Sequence, residues 1–189
     1  MSTTKVLGGP SSSAVANGVA TDSAGKVFLT GGLTGTVDFG NGVPTTTTAN
    51  GGLFVAAYDA AGTNLWVKAY GQSGDAGMAI AVDGSNNLAI TGHASGPIDF
   101  INTALPTSAE GWIVANFTTS GDFRWAKRNS ASVGSGSSGY SLAYDANNHL
   151  YVAGQCPQNN STLFDFDYGG GTILSTTGNP DGFLFEYTK

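Results

Sequence analysis

The stretch GVATDSAGKVFLTGG, Gly18–Gly32, comes back twice in the chain: as AIAVDGSNNLAITGH at Ala79–His93 and as SLAYDANNHLYVAGQ at Ser141–Gln155. Asp22, Asp83 and Asp145 are spaced 61 and then 62 residues apart, and Gly31, Gly92 and Gly154 keep the same spacing. In each copy two short apolar runs flank a turn that opens on Asp. An Asp at that point accepts the backbone N–H groups of a type I turn. The fourth turn position, Gly25, Asn86 or Asn148, is where the bulge that restores strand pairing needs a left-handed residue. Each copy therefore predicts a β-hairpin, with positive φ at those three residues.

Two more echoes extend the unit on its C-terminal side. TVDFGNG (Thr36–Gly42), PIDFINT (Pro97–Thr103) and LFDFDYG (Leu163–Gly169) place Asp38, Asp99 and Asp165 in register. Leu53–Tyr58, Trp112–Phe117 and Phe183–Tyr187 then read as third strands, which aligns Trp112 with Leu53 and Phe183 as core positions. After the turns Asp59–Gly62 and Thr118–Gly121, Leu65–Tyr70 and Phe123–Lys127 read as fourth strands. The innermost strands are Gly18–Thr21, Met78–Val82 and Tyr140–Tyr144. The second strands are Val27–Thr30, Leu88–Thr91 and Leu150–Ala153. Four antiparallel strands repeated about every 60 residues predict an all-β fold, a β-propeller of four-stranded blades with three blades in the chain. The units span approximately 18–70, 78–127 and 140–187 of a single domain covering 1–189.

Composition agrees with that class. Charged residues make up 11% and hydrophobic ones 40%, while Gly reaches 29 of 189. There is enough apolar surface to offset chain entropy, and the Gly excess belongs to tight turns. Net charge is −6 with only seven Lys and Arg, which speaks against a nucleic-acid backbone as partner. No apolar run approaches bilayer length. A single cysteine, Cys156, excludes an internal disulfide and is too little for a structural zinc site. The opening MSTTKVLGGPSSS does not read as a signal peptide.

The segments AVDGSNNLAITG (Ala81–Gly92), VDFGNG (Val37–Gly42) and FVAAYDAAGTNLWVK (Phe54–Lys68) together resemble the bacterial SBBP-type, seven-bladed β-propeller-like repeat proteins. The resemblance runs from Lys5 to Tyr187 and departs most in the third copy, where Gln155–Thr177 is longer. It implies a propeller fold, an extracellular or cell-surface setting, and a binding or scaffold role without assigned activity.

The third copy shows no fourth strand, whereas Lys5-Val6-Leu7-Gly8 precedes Asp22 much as Lys68–Gly71 precedes Asp83. The Lys-to-Asp intervals are 17, 15 and, from Lys127 to Asp145, 18 residues. Residues 3–8 are therefore expected to complete a third blade by pairing Lys5, Val6 and Leu7 with Phe183, Phe185 and Tyr187. Three blades are too few for a ring, and a two-fold homodimer would supply six. The alternative is a three-repeat fragment of a larger secreted propeller.

Candidate ligand-binding residues are Asp38, Asp99 and Asp165, one per unit. They are expected on the face carrying the long connections, facing a carbohydrate or protein ligand. The commoner role of an Asp beside a Gly-rich turn is to cap backbone N–H groups. Trp66 and Trp125 fit inter-blade packing better than sugar stacking. His93 and His149 lack metal-ligand spacing, and Cys156 has no adjacent base in sequence. GSGSSG is a linker rather than a phosphate loop. Asn116, Asn159 and Asn160 open glycosylation sequons. No catalytic set repeats, so the expectation is a non-enzymatic module without cofactor or metal, with a lectin bearing one weak site per blade as the runner-up.

Overall fold

The structure, a computed structural model, describes residues 4–45, 51–100, 105, 111–128, 130–131, 136–156, 163–165, 173–175 and 181–187. Every regular element among them is a strand. The first repeat contains β1 (Ser13–Thr21), β2 (Val27–Thr34), the short pair β3 (Val37–Asp38) and β4 (Pro44–Thr45), β5 (Gly51–Tyr58) and β6 (Asn64–Tyr70). The second contains β7 (Ala76–Val82), β8 (Asn87–Ala94), β9 (Gly111–Thr118) and β10 (Phe123–Arg128). The third region contains β11 (Ser130–Ala131), β12 (Ser138–Tyr144), β13 (Leu150–Cys156), β14 (Leu163–Asp165), β15 (Ile173–Ser175) and β16 (Asp181–Tyr187). The main sheets run β1-β2-β5-β6, β7-β8-β9-β10 and β12-β13-β16, all antiparallel, with β11-β14-β15 as a smaller sheet.

The turn chemistry read from sequence is present. Asn86 and Asn148 have φ of 59° and 63°, and Gly25 has 80°. Asp22, Asp83 and Asp145 each use Oδ1 to accept two backbone N–H groups of their own turn at 2.7–3.0 Å. The first strands extend further toward their N-terminal ends than predicted, because each absorbs one bulged residue: Asn17, Met78 or Tyr140. The bulge explains the repeated glycine opposite it. A Cβ on Gly31, Gly92 or Gly154 would overlap the carbonyl oxygen of Val15, Ala76 or Ser138. Only glycine lets the strands pair there.

One alignment is corrected by the register. Gly31 pairs with Phe54, Gly92 with Ile113, and Gly154 with Phe183. Phe183 is thus the counterpart of Phe54 and Ile113, and the position of Leu53 and Trp112 falls on Gly182. The third strands are aligned at their far ends, where Tyr58, Phe117 and Tyr187 pair with Val27, Leu88 and Leu150. A one-residue shift in a strand moves a side chain to the other face, so the difference decides which sheet Phe183 touches.

Each sheet lays its forward face on the backward face of the next. Phe28, Leu53, Val55 and Ala57 of the first sheet pack against Ile80, Leu88, Ile90 and Ile113 of the second. Ala89, Trp112 and Val114 of the second pack against Leu142, Leu150, Val152 and Phe183 of the third. A fully buried Leu, Ile, Val or Phe here contributes roughly 2 kcal/mol of burial. The approach is closest at small residues. A Cβ on Gly77 would overlap Oγ1 of Thr30, and one on Gly139 would overlap Oγ1 of Thr91. Strands β1, β7 and β12 lie side by side, while β6 and β10 form the distant edges of their sheets.

Candidate functional site

The repeated acidic turns come first, because the sequence singles them out. In the first repeat the Asp38 carboxylate accepts the N–H groups of Gly40, Asn41 and Gly42 through Oδ1, at 2.8, 3.3 and 3.2 Å. Gly40 and Gly42 have positive φ, as a turn wrapped around one carboxylate oxygen requires. This is the capping role. The turn also folds back along the sheet: Asn41 Nδ2 donates to Asn64 Oδ1 at the start of β6. Asp38 is thereby carried toward the short turn between β5 and β6, away from the end bearing the long connections. Asp99 is exposed on the equivalent segment. Asp165 closes β14, paired in register with Ser130 and Ile173.

The residue after the Asp has the larger structural role. Phe39 is fully buried, 4.9 Å edge-on to Phe54, and Tyr58 donates its hydroxyl to the Phe39 carbonyl. Phe100 lies among Tyr70, Phe117 and Phe123, with centroids 4.7–6.0 Å apart. The Asp38 turn seats Phe39 against the first sheet, and Phe100 lies at the junction of the first two sheets.

The tryptophans lie between sheets as well. Trp66 donates Nε1–H to the Thr119 carbonyl at 3.2 Å and covers Gly121. Trp125 sits 4.6 Å from Tyr187, and Trp112 lies against Phe183 and Phe185. These rings are engaged in packing between sheets. Cys156 is buried, and burial followed by the Asp181 charge pushes its thiol up to about 11, so the thiolate is disfavoured. Asn116 is also buried, with its amide donating to the Tyr144 hydroxyl, which closes that sequon in the folded chain. Asn159 and Asn160 lie outside the described residues.

At the long-connection end a polar cleft of about 260 Å³ opens between the first two sheets, lined by Val15, Asn17, Thr34, Asp75 and His93. Asp75 is buried and fully used. Its Oδ1 accepts the Ser95 N–H at 2.6 Å and the Ser95 hydroxyl at 2.7 Å, and its Oδ2 accepts the Gln72 N–H. His93 Nε2–H donates to the Gly74 carbonyl at 2.7 Å. Asn17, the bulged residue of β1, reaches across to the Gly77 carbonyl. In the second repeat buried Arg128 donates Nη1–H to the Gly96 carbonyl and Nη2–H to the Ala94 carbonyl. The cleft offers hydrogen-bonding groups, and its one carboxylate is held by two backbone N–H groups and a serine hydroxyl. Sequence reading missed Asp75 because it is not repeated: the matching positions hold Ala14 and Ser137. An acid inside the glycine-bounded link Gly71–Gly77 was the available signal.

A second polar group lies on the third sheet. His149 Nδ1 is 3.3 Å from both Asp145 Oδ2 and Glu186 Oε1, and Tyr151 donates its hydroxyl to Glu186. No group of three or more His, Cys, Asp or Glu suited to a metal ion occurs among the described residues. No helix there is long and apolar enough to cross a membrane. No protein-family model and no curated protein matches the chain.

Proposed function

We propose that the chain is half of a β-propeller, a non-catalytic binding or scaffold module of the kind that SBBP-type repeats build. Two copies close a six-bladed ring. One observation carries the reading: the first strands β1, β7 and β12 stand side by side while successive sheets pack face to face. Blades stand in this way around an axis, and six of them at about 60° each make a closed ring. Ligand contacts fall at the long-connection end, where loops on a rigid scaffold meet the cleft of Asn17, Thr34 and His93. Against catalysis stand a thiol held in its neutral form and a cleft acid whose oxygens are already engaged. Against an aromatic-platform lectin stand the three buried or inter-sheet tryptophans.

Light scattering followed by a glycan array and an immobilised-protein screen on the same sample tests this. The expected result is a mass of two chains, and capture of a ligand that Asn17→Ala or His93→Ala weakens. A one-chain mass at micromolar concentration removes the ring, and capture unaffected by either variant removes the cleft.

A further inference from the structure

The two sheets at the ends of the series each leave part of one face uncovered, and those parts differ from their internal counterparts in matched ways. Val55 and Val114 on the forward faces of the first two sheets are 0% and 1% exposed, while Leu184 in the same register on the third is 74% exposed. On the backward faces Ile80 and Leu142 are 7% and 9% exposed, while Val19 in that register on the first is 65% exposed. An open groove of about 430 Å³ lies on this backward face, walled by Ala14, Ala16, Val27, Leu29 and, on the far side, Lys5 and Leu7.

Lys5–Gly8 already sits where the outer strand of a preceding sheet belongs. Lys127, on the outer strand of the second sheet, holds Nζ 5.0 Å over the Tyr187 ring of the third. Lys5 holds Nζ 5.4 Å over Tyr58, the counterpart of Tyr187 in the first sheet. Tyr70, two residues after Lys68, packs into the next sheet's cluster, and Leu7, two residues after Lys5, packs into the cluster of Phe39 and Phe54. Ser130, three after Lys127, pairs with Asp165, and Gly8, three after Lys5, pairs with Asp38. The third sheet is the converse: three strands, with no strand beside the outer side of β16 among the described residues.

We infer that the groove is the seat of the third sheet of a second copy of this chain. Its Leu184 enters against Val19 and Leu29, and its β16 edge pairs with Lys5–Leu7. The close-contact pair identifies the occupant. Inside the chain a Thr faces a Gly at this point, Thr30 with Gly77 and Thr91 with Gly139. At the open faces the same two positions are Ala153 and Ala16. A methyl at position 16 excludes a Thr opposite, and of the three sheets only the third presents Ala. Thr with Gly and Ala with Ala fill nearly the same space, so the exchange is volume-conserving across the junction.

This rests on the proposed ring and specifies how it closes. Sedimentation equilibrium of four proteins tests it: the unaltered chain, Leu184→Asp, Ala153→Thr, and Ala153→Thr with Ala16→Gly. Circular dichroism confirms the fold of each, and Leu184 is exposed enough for Asp to be tolerated in the lone chain. Leu184→Asp is expected to raise the dimer dissociation constant by roughly a hundredfold or more. Ala153→Thr is expected to raise it about tenfold or more, with Ala16→Gly restoring it. A monomeric unaltered chain overturns the ring and its closure together. A dimer indifferent to Leu184→Asp, or one that Ala16→Gly fails to rescue, overturns the seat alone and leaves self-assembly standing.

Discussion

The forward faces of the second and third sheets are built at the same register and do opposite things. On the second, Ala81, Ala89, Asn116 and Trp125 form one cross-strand row, and the Asn116 amide is buried against the Tyr144 hydroxyl of the next sheet. On the third, the corresponding row reads Ala143, Tyr151 and Glu186, with Tyr151 and Glu186 hydrogen-bonded to each other and His149 alongside. A small residue beside a large Trp has become a large residue beside an acid. A repeat thus preserves backbone positions while each face takes the side chains its own neighbour demands. Buried rows need matched volumes, whereas an uncovered row tolerates a carboxylate because water solvates it.

The largest expected effect separates those two faces by stability. Trp112→Ala should cost about 3–5 kcal/mol, read as a lower urea midpoint, because the ring is fully buried against Phe183 and Phe185. Leu184→Ala, measured at dilutions where only single chains are present, should stay within about 0.5 kcal/mol. Equal losses at the two sites would erase the distinction between covered and open faces.

A second experiment rebuilds the open-face pairing inside the molecule. Gly77→Ala should destabilise by about 1–3 kcal/mol, since its methyl overlaps Thr30. Combined with Thr30→Ala the loss should be smaller than the sum of the single losses. Strict additivity would mean that the two positions do not sense each other's volume. Thr30 also donates to the Phe54 carbonyl at 2.8 Å, so the double variant is not expected to regain full stability.

The hairpin turns should respond alike wherever they sit. Gly25→Val should cost on the order of 1–2 kcal/mol by forcing a β-branched residue to positive φ. An unchanged denaturation curve would sink the turn assignment, and with it the register that aligns the three repeats.

Alkaline pH probes the first junction through Tyr70. Burial raises its phenol to about 12, and its hydroxyl has no hydrogen-bond partner. With the folded value above the unfolded one, the stability attached to the neutral phenol is intact below about pH 10 and is lost as pH rises toward 12. Tyr70→Phe should be near neutral at pH 7 and should flatten this alkaline fall. A mutant whose alkaline stability tracks the parent would show that Tyr70 is not the group responsible.

The smallest effect belongs to the exposed turns. Asp145 and Asp59 titrate below the usual carboxylate range, foremost because the His149 and Thr63 N–H groups, respectively, donate to them. Their contribution is present above the unfolded carboxylate value and fades as pH falls through the lower folded one. Asp145→Asn should therefore blunt acid sensitivity only slightly, and carboxyl NMR titration should place both midpoints below that of a free Asp.

Much of the architecture was legible because it rests on local chemistry repeated in register. An Asp opening a turn and a Gly or Asn closing it fix a hairpin within a few residues, so the strands were readable one by one. Side-chain facing in the third strand was not: a one-residue difference between glycine and aromatic anchors looks trivial in a string and inverts a face in a sheet. The Asp38 turn was legible as a cap but not in its placement, since the sequence does not show that Asn41 folds back to Asn64. The cleft at Asp75 and His93 escaped notice because a site formed where two sheets meet need not repeat.

The sequence by itself determined the strands, the turns that join them and the three-fold repetition, since each depends on backbone geometry that a handful of neighbouring residues can impose. Tertiary structure decided why Gly77 and Gly139 are glycine, why Thr30 and Thr91 are buried, and why Leu184 and Val19 are left exposed. Those outcomes depend on what packs against a face, and pairs such as Thr30 with Gly77 and Thr91 with Gly139 meet there only after the sheets have stacked.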